Sequence, residues 1–277
     1  MAISDVNGIV AGLGAADRFI IDKASIANQT TGGFSSLWRA TGQPGQGAIP
    51  TSAAICTKAL TGAIGFNNQT APVSTYHAWQ TIAAANAGTT IELHDRVAHM
   101  GGLSLTSTTS QTVGLDLSAT GLNPAADRIG ASDFSDIMWW LEIYSDGGAT
   151  ASNATINVTY NDDSSGNLPT VAVGGTLRAS RLIILNGLIP AASSGKFIKD
   201  INTVINSAST GTAGNFGFTA TRNRSVWPTH VANKMELYDW AALGFPEIPN
   251  DACLMLITNN QTTSSGIVRG NGKLAHG

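Results

Sequence analysis

Residues 155–160, Thr-Ile-Asn-Val-Thr-Tyr, alternate polar and apolar side chains without a break. Successive side chains of a strand point to opposite faces, so this run places Ile156, Val158 and Tyr160 on one face. It ends in Asn161-Asp162-Asp163-Ser164-Ser165-Gly166-Asn167, a cluster of turn-forming residues. Upstream, residues 137–144 (Ile-Met-Trp-Trp-Leu-Glu-Ile-Tyr) are rich in aromatic and branched side chains. They put Ile137, Trp139, Leu141 and Ile143 on a common face and stop at Ser145-Asp146-Gly147-Gly148. Two such strands with a Gly-rich connection predict a hairpin.

Further strands are expected at 90–97, 102–108, 176–185, 197–206, 216–221 and 252–258. The last is apolar throughout, which predicts burial on both faces. Helical signals are confined to short stretches at 73–87 and 231–243. Short strands punctuated by Gly, Asn and Ser turns give a mainly β chain, with a β-sandwich or jelly-roll-like body over residues 71–277.

The first seventy residues differ. Their apolar rhythm is weak, and Gln29-Thr30-Thr31-Gly32-Gly33 and Thr41-Gly42-Gln43-Pro44-Gly45-Gln46-Gly47 are strong breakers around a short 34–39 segment. Residues 1–70 therefore read as an extended, Gly-rich N-terminal arm and linker. It would lie across the protein's own body or across a neighbour.

Charge decides which function classes remain. Charged residues are 12% of the chain, about half the roughly 25% of an ordinary soluble domain, and the net charge is −3. Glycine is high, at 31 of 277 residues. Such a surface repels its neighbours weakly. It suits a β protein with neutral loops, or a subunit whose surface is partly covered in an assembly. The Lys and Arg residues form no basic stripe, which argues against a nucleic-acid partner. No apolar run approaches the ~18 residues of a membrane-spanning helix, and Met1-Ala2-Ile3-Ser4-Asp5 does not begin a signal peptide. The expectation is a soluble protein made in a cytoplasm, where Asn-X-Thr triplets such as Asn153-Ala154-Thr155 say nothing of glycosylation. Cys253, inside the apolar 252–257 run, reads as a small buried hydrophobe, with a bridge to Cys56 left open.

The chemistry-bearing residues are few. Glu92-Leu93-His94-Asp95-Arg96-Val97-Ala98-His99 gathers the most functional-looking side chains. On a strand, residues 92 and 94 share one face while 95, 97 and 99 take the other. His94 and His99 then point apart, which spoils a metal pair. Polar contacts are expected instead, with Asp95 meeting Arg96 or a distant Arg. His77, His230 and His276 stand alone in sequence. Ser193-Ser194-Gly195-Lys196 lacks the companion motifs of penicillin-recognising serine enzymes. Gly12-Leu13-Gly14 lacks the preceding strand and third glycine of a dinucleotide fingerprint. Asp162-Asp163 suits a hydrated hairpin tip better than a calcium loop. A glycoside hydrolase needs only two carboxylates at the right separation, which Glu92, Asp95, Glu142, Glu236, Asp239 and Glu247 leave open. Trp38, Trp79 and Trp227 are the candidates for an aromatic sugar-binding platform. No residue is assigned a catalytic, cofactor-binding or metal-binding role, and the chain reads as non-catalytic.

Two stretches resemble a family of tailed-bacteriophage virion proteins encoded beside the major capsid protein. One is residues 88–112, Gly-Thr-Thr-Ile-Glu-Leu-His-Asp-Arg-Val-Ala-His-Met-Gly-Gly-Leu-Ser-Leu-Thr-Ser-Thr-Thr-Ser-Gln-Thr. The other joins Leu243-Gly244-Phe245-Pro246 and Ile248-Pro249 to Asn259-Asn260-Gln261-Thr262-Thr263. Residues 38–48, Trp-Arg-Ala-Thr-Gly-Gln-Pro-Gly-Gln-Gly-Ala, are similar to that family's N-terminal segment. The resemblance implies a decoration or cement protein of the phage head. Its partners would be the major capsid protein and neighbouring copies of itself, in a homo-oligomer with no cofactor. Residues 8–50 would make the intersubunit contacts. A tail or tail-tube subunit and a carbohydrate-binding adhesin module are the alternatives.

Overall fold

The computed structural model describes residues 3–212 and 214–277. It is mainly β, with 41% of residues in strands against 9% in helices. The chain divides into two compact units. One comprises Met1–Ala48, Thr57–Asp95 and Asn223–Gly277, and the other Ile49–Cys56 and Arg96–Arg222.

In the first unit, strand Val268–His276 pairs antiparallel with Asp17–Lys23 on one side and Thr75–Ala84 on the other. Glu236–Tyr238 and Glu247–Ile248 add to the outer edge of Thr75–Ala84. A second set places Leu254–Asn259 between Phe34–Ser36 and residues 90–95 of the long strand Thr90–Ser104. Phe19, Ile21, Ile82, Val268 and Leu274 from the first set share one core with Leu37, Ile91, Leu93, Leu254 and Leu256 from the second. Leu254–Asn259 is buried at every residue but the last, as its continuous apolar character requires.

Two expectations fail in this unit. The segment 1–70 is not an extended arm laid over a body formed by 71–277. Asp17–Lys23 is an interior strand of the sheet, while Leu37 and Trp38 are 1% and 2% exposed. The glycines read as breakers serve packing instead. A Cβ on Gly47 would stand 2.1 Å from the Trp38 ring, and one on Gly42 would stand 1.8 Å from the Asp22 carbonyl oxygen. The stretch 73–87 holds the strand Thr75–Ala84 and no helix. Its ladder with Val268–His276 carries a bulge at Ala78, between His77 and Trp79 and opposite Lys273 and Leu274. Burial accordingly shifts from odd positions (Thr75, His77) to even ones (Ala78, Gln80, Ile82), which hides the alternation in the sequence. Within 231–243, only Trp240–Leu243 is α-helical.

In the second unit, strands Gln111–Asp116, Ile198–Asn206, Asn153–Tyr160 and Ser165–Asn167 form one antiparallel sheet. Met138–Ile143 runs between Arg181–Ile184 and the 216–221 part of Asn215–Pro228. The inward faces, Ile156, Val158, Tyr160, Ile201 and Val204 against Trp139, Leu141, Ile143, Phe216 and Phe218, make one core. The expected apolar faces are therefore correct, but the hairpin is not. Met138–Ile143 and Asn153–Tyr160 belong to different sheets. Gly147 and Gly148 do not make a tight turn between paired strands. A Cβ on Gly148 would lie 2.0 Å from the Thr210 carbonyl oxygen, so the glycine permits close backbone approach. The strands expected at 90–97 and 102–108 are largely one strand, Thr90–Ser104, through Gly101 and Gly102. Both cysteines are buried.

Candidate functional site: polar clusters and an exposed apolar loop

In the 92–99 segment, Glu92 and His94 meet on one face as strand alternation requires, whereas Arg96 and His99 also meet although alternation sets them on opposite faces. In the first unit, His94 Nε2 lies 2.8 Å from Glu92 Oε2, and Asn223 Nδ2 donates to the same oxygen at 3.1 Å. Asp95 takes a distant arginine. Arg224 Nη2 stands 3.4 Å from its Oδ2, and the Cys253 amide donates to Oδ1 at 2.9 Å. In the second unit, Arg96 pairs with Glu142 at 2.8 Å, both fully buried. Arg96 also donates to Tyr144 Oη (2.8 Å) and His99 Nδ1 (3.0 Å), and Thr219 Oγ1 donates to Glu142 at 2.6 Å. Burial drives the Tyr144 phenol pKa well up, with the Arg96 charge opposing. A charge taken this far from water needs such partners, and these groups spend their hydrogen bonds on one another.

Several other carboxylates are also engaged, while Glu247 is exposed. Asp162 meets Lys196 at 2.8 Å and is held down to about 2, chiefly by that hydrogen bond. Asp163 bonds Lys199. Lysines thus occupy the loop considered for calcium. Glu236 accepts from the His230 amide (2.7 Å) and ring (2.9 Å), and Asp239 caps the helix Trp240–Leu243. Among the described residues, no three His, Cys, Asp or Glu side chains gather into a metal-holding group, and no helix is long and apolar enough to cross a membrane.

One arrangement has the order of a hydrolytic relay. Thr75 Oγ1 lies 3.1 Å from His276 Nδ1, and His276 Nε2 lies 3.0 Å from Asp17 Oδ2. A nucleophile must reach its substrate. Thr75 is 2% exposed, and Asp17 is also held by the Asn67 amide and side chain. The relay ties the C-terminal strand to its neighbours. Of the sugar-platform candidates, Trp38 and Trp227 are core residues and Trp79 is half-buried, so the three make no exposed platform.

Two buried titrating groups give pH predictions. His77 sits against Trp227 and Phe19, with ring centroids at 5.4 and 5.9 Å, and Nδ1 lies 3.0 Å from Ser225 Oγ. Burial lowers its pKa to about 3, with the Gln80 side chain, as acceptor, opposing. The unfolded chain then binds a proton that the folded one refuses, so stability falls as pH drops from about 6.5 towards 3. At pH 4.5 the loss from this group is about 3 kcal/mol. Urea unfolding of His77→Gln at pH 7.5 and 4.5 is expected to show that acid-dependent loss removed.

In the second unit, Asp200 stands opposite Asp116 in the ladder. Partial burial and then the Asp116 charge raise its pKa to about 6. Here the folded state holds the proton more tightly. Stability therefore falls as pH rises from about 4 to 6 and stays lower above that. Asp200→Asn is expected to gain about 1 kcal/mol at pH 8 relative to pH 4, after allowance for solvent screening. An equal effect at both pH values in chemical denaturation would remove this account of the pair.

The feature that sequence reasoning missed is a loop. Residues 228–238 close on themselves as Tyr238 Oη donates to Glu236 (3.0 Å) and to the Pro228 carbonyl, and the His230 amide donates to Glu236. The closed loop turns its apolar side chains outward. Leu237 is 68% exposed, Met235 50% and Val231 49%, with Val226 and Trp240 also exposed. The sequence suggested only a short helix over 231–243 and gave no sign that Val231, Met235 and Leu237 face outward. Met and aromatic side chains with little charge are the composition of an interface core.

No family model matches the chain, and no curated protein matches it. Among solved structures, the VP2 subviral particle of infectious bursal disease virus aligns over 94% of this chain and 80% of its own, at 11% identity and a TM-score of 0.18. The Gt strain of that virus aligns over 94% and 81%, at 10% identity and a TM-score of 0.18. TM-scores this low carry no argument about fold or function.

Proposed function

We propose that the protein is a non-catalytic structural subunit of a tailed-phage virion, a decoration or cement protein that bridges major capsid subunits and neighbouring copies of itself. The observation that carries the reading is the outward-facing apolar loop at 228–238 with its neighbours Val226 and Trp240. Folding alone does not call for Leu237 and Met235 on the surface, whereas association uses them. The low charge of the chain and the resemblance of residues 88–112 to phage virion proteins support the same reading. Each contact need only be modest, because repetition over a shell multiplies weak contacts into avid binding. The bridging surface is thus assigned to the loop and not to residues 8–50, many of which are needed for the core.

Met235→Glu and Leu237→Glu test this reading, since both residues are exposed and such changes usually move stability by no more than about 0.5 kcal/mol. Cosedimentation with undecorated capsids is expected to weaken at least tenfold in the double variant, with the melting temperature unchanged. Binding equal to that of the parent protein would dismiss the loop as the bridging surface.

A further inference from the structure

Strand Asp17–Lys23 has one edge only half covered. Val268–His276 takes one side along the full length, from Asp17 opposite Leu274 to Lys23 opposite Val268. On the other side, Gly42–Gln43 pairs with Asp22 and Lys23 alone, and the Ala24 amide donates to the Thr41 carbonyl at 3.0 Å. In an antiparallel ladder the main chain of alternate residues faces each side. With Ala24 and Asp22 turned towards 41–43, the N–H and C=O groups of Ile20 and Arg18 face the same way. Continuing the register would set Gly45 opposite Ile20, but the chain departs first. Pro44 has no N–H to offer a ladder. The buried Lys23 ammonium donates to the carbonyls of Pro44 at 2.6 Å, Ala40 at 3.1 Å and Gly45 at 3.2 Å, drawing the loop towards itself. Among the described residues, Arg18 and Ile20 have no backbone partner on this edge.

Where the next strand would lie there is an open groove of about 430 Å³, lined by residues 18–20, 43–45 and 60–65. A Cβ on Gly65 would meet nothing within 4 Å, which leaves room for a backbone to approach, and the half-exposed Leu60 and the exposed Ile20 offer apolar contact. Arg18 is the one cationic residue in the lining, and no acidic side chain pairs with it among the described residues. Unpaired main-chain groups at a sheet edge are a template for another strand.

We propose that this groove accepts an extended acidic segment of a partner protein as an added strand. The segment continues the line of Gly42–Gln43, bonds the main chain of Ile20 and Arg18, and sets a carboxylate on the Arg18 guanidinium. The inference concerns a different surface from the 228–238 loop and does not depend on the virion reading. Two outward-facing residues supply few hydrogen bonds, so an isolated peptide binds with a Kd on the order of 1 mM. Attachment of the segment to an assembly would raise the occupancy.

The test uses the full chain labelled with nitrogen-15 and titrated with the blocked peptide Thr-Val-Glu-Val-Thr. Two controls are the same peptide with Lys in place of Glu and one N-methylated along its hydrogen-bonding edge. The expected result is saturable amide shifts at Arg18 and Ile20, at least fivefold weaker binding of the Lys peptide, and loss of binding on N-methylation. Arg18→Glu, on an exposed side chain, is expected to reverse the charge preference. No shift at Arg18 and Ile20 at several millimolar, or equal binding of the N-methylated peptide, would overturn the proposal. Concentration-dependent dimerisation lost in Arg18→Glu would also overturn it, by placing a second copy in the groove. Peptide binding needs no capsid, so failure of cosedimentation leaves this result unaffected.

Discussion

Deletion of residues 8–50 is expected to yield an unfolded, insoluble first unit and not a shortened protein with an intact body. The deletion removes Phe19, Ile21, Leu37 and Trp38 from a core in which none exceeds 6% exposure. It also strips one neighbour from Val268–His276 and one from Leu254–Asn259. Burial of a large apolar side chain contributes ~1.5–3 kcal/mol, and emptying a Phe or Trp site costs ~3–5 kcal/mol. Four such losses reach the ~5–15 kcal/mol that holds a whole domain together. Near-ultraviolet circular dichroism and solubility on expression measure the outcome. A soluble deletion variant with a cooperative melt would restore the detachable arm that the glycines of 1–70 suggest.

The second large effect lies in the other unit. Arg96→Met leaves the buried Glu142 carboxylate without its guanidinium while the Thr219 hydroxyl still donates to it. Breaking one side of a buried pair costs about 3–5 kcal/mol, most of it from stranding the remaining charge. The melting temperature is expected to fall on the order of 10 °C. Replacing both partners, Arg96→Met with Glu142→Leu, is expected to recover most of that loss, because no charge is then left buried. A single variant that loses less than about 1 kcal/mol in chemical denaturation would contradict the assignment of the pair as a buried, mutually dependent unit.

The sequence made much of the sheet content legible and little of its connectivity. Alternation identified the inward faces of 137–144 and 155–160 correctly, since Trp139, Leu141, Ile156 and Val158 all reach the core. Pairing was not legible, because the Gly147-Gly148 signal of a turn is also the signal of close backbone approach. The bulge at Ala78 reversed the phase of the 75–84 strand, and the alanines at its end lent it a helical look that tertiary pairing overrode. At 92–99, Asp95 meets a distant arginine, Arg224, which is one of the two partners that the sequence left open. The apolar loop and the half-covered edge were beyond reach. Exposure of Leu237 and diversion of the chain at Pro44 both depend on contacts made by residues distant in sequence.

The most direct test of the assembly role is cryo-electron microscopy of undecorated tailed-phage capsids after incubation with the purified protein. The account expects stoichiometric density at regular lattice positions, with the 228–238 loop against a capsid subunit or a neighbouring copy. Bare shells, together with rings or tubes formed by the protein alone, would contradict it and make the chain a tail subunit.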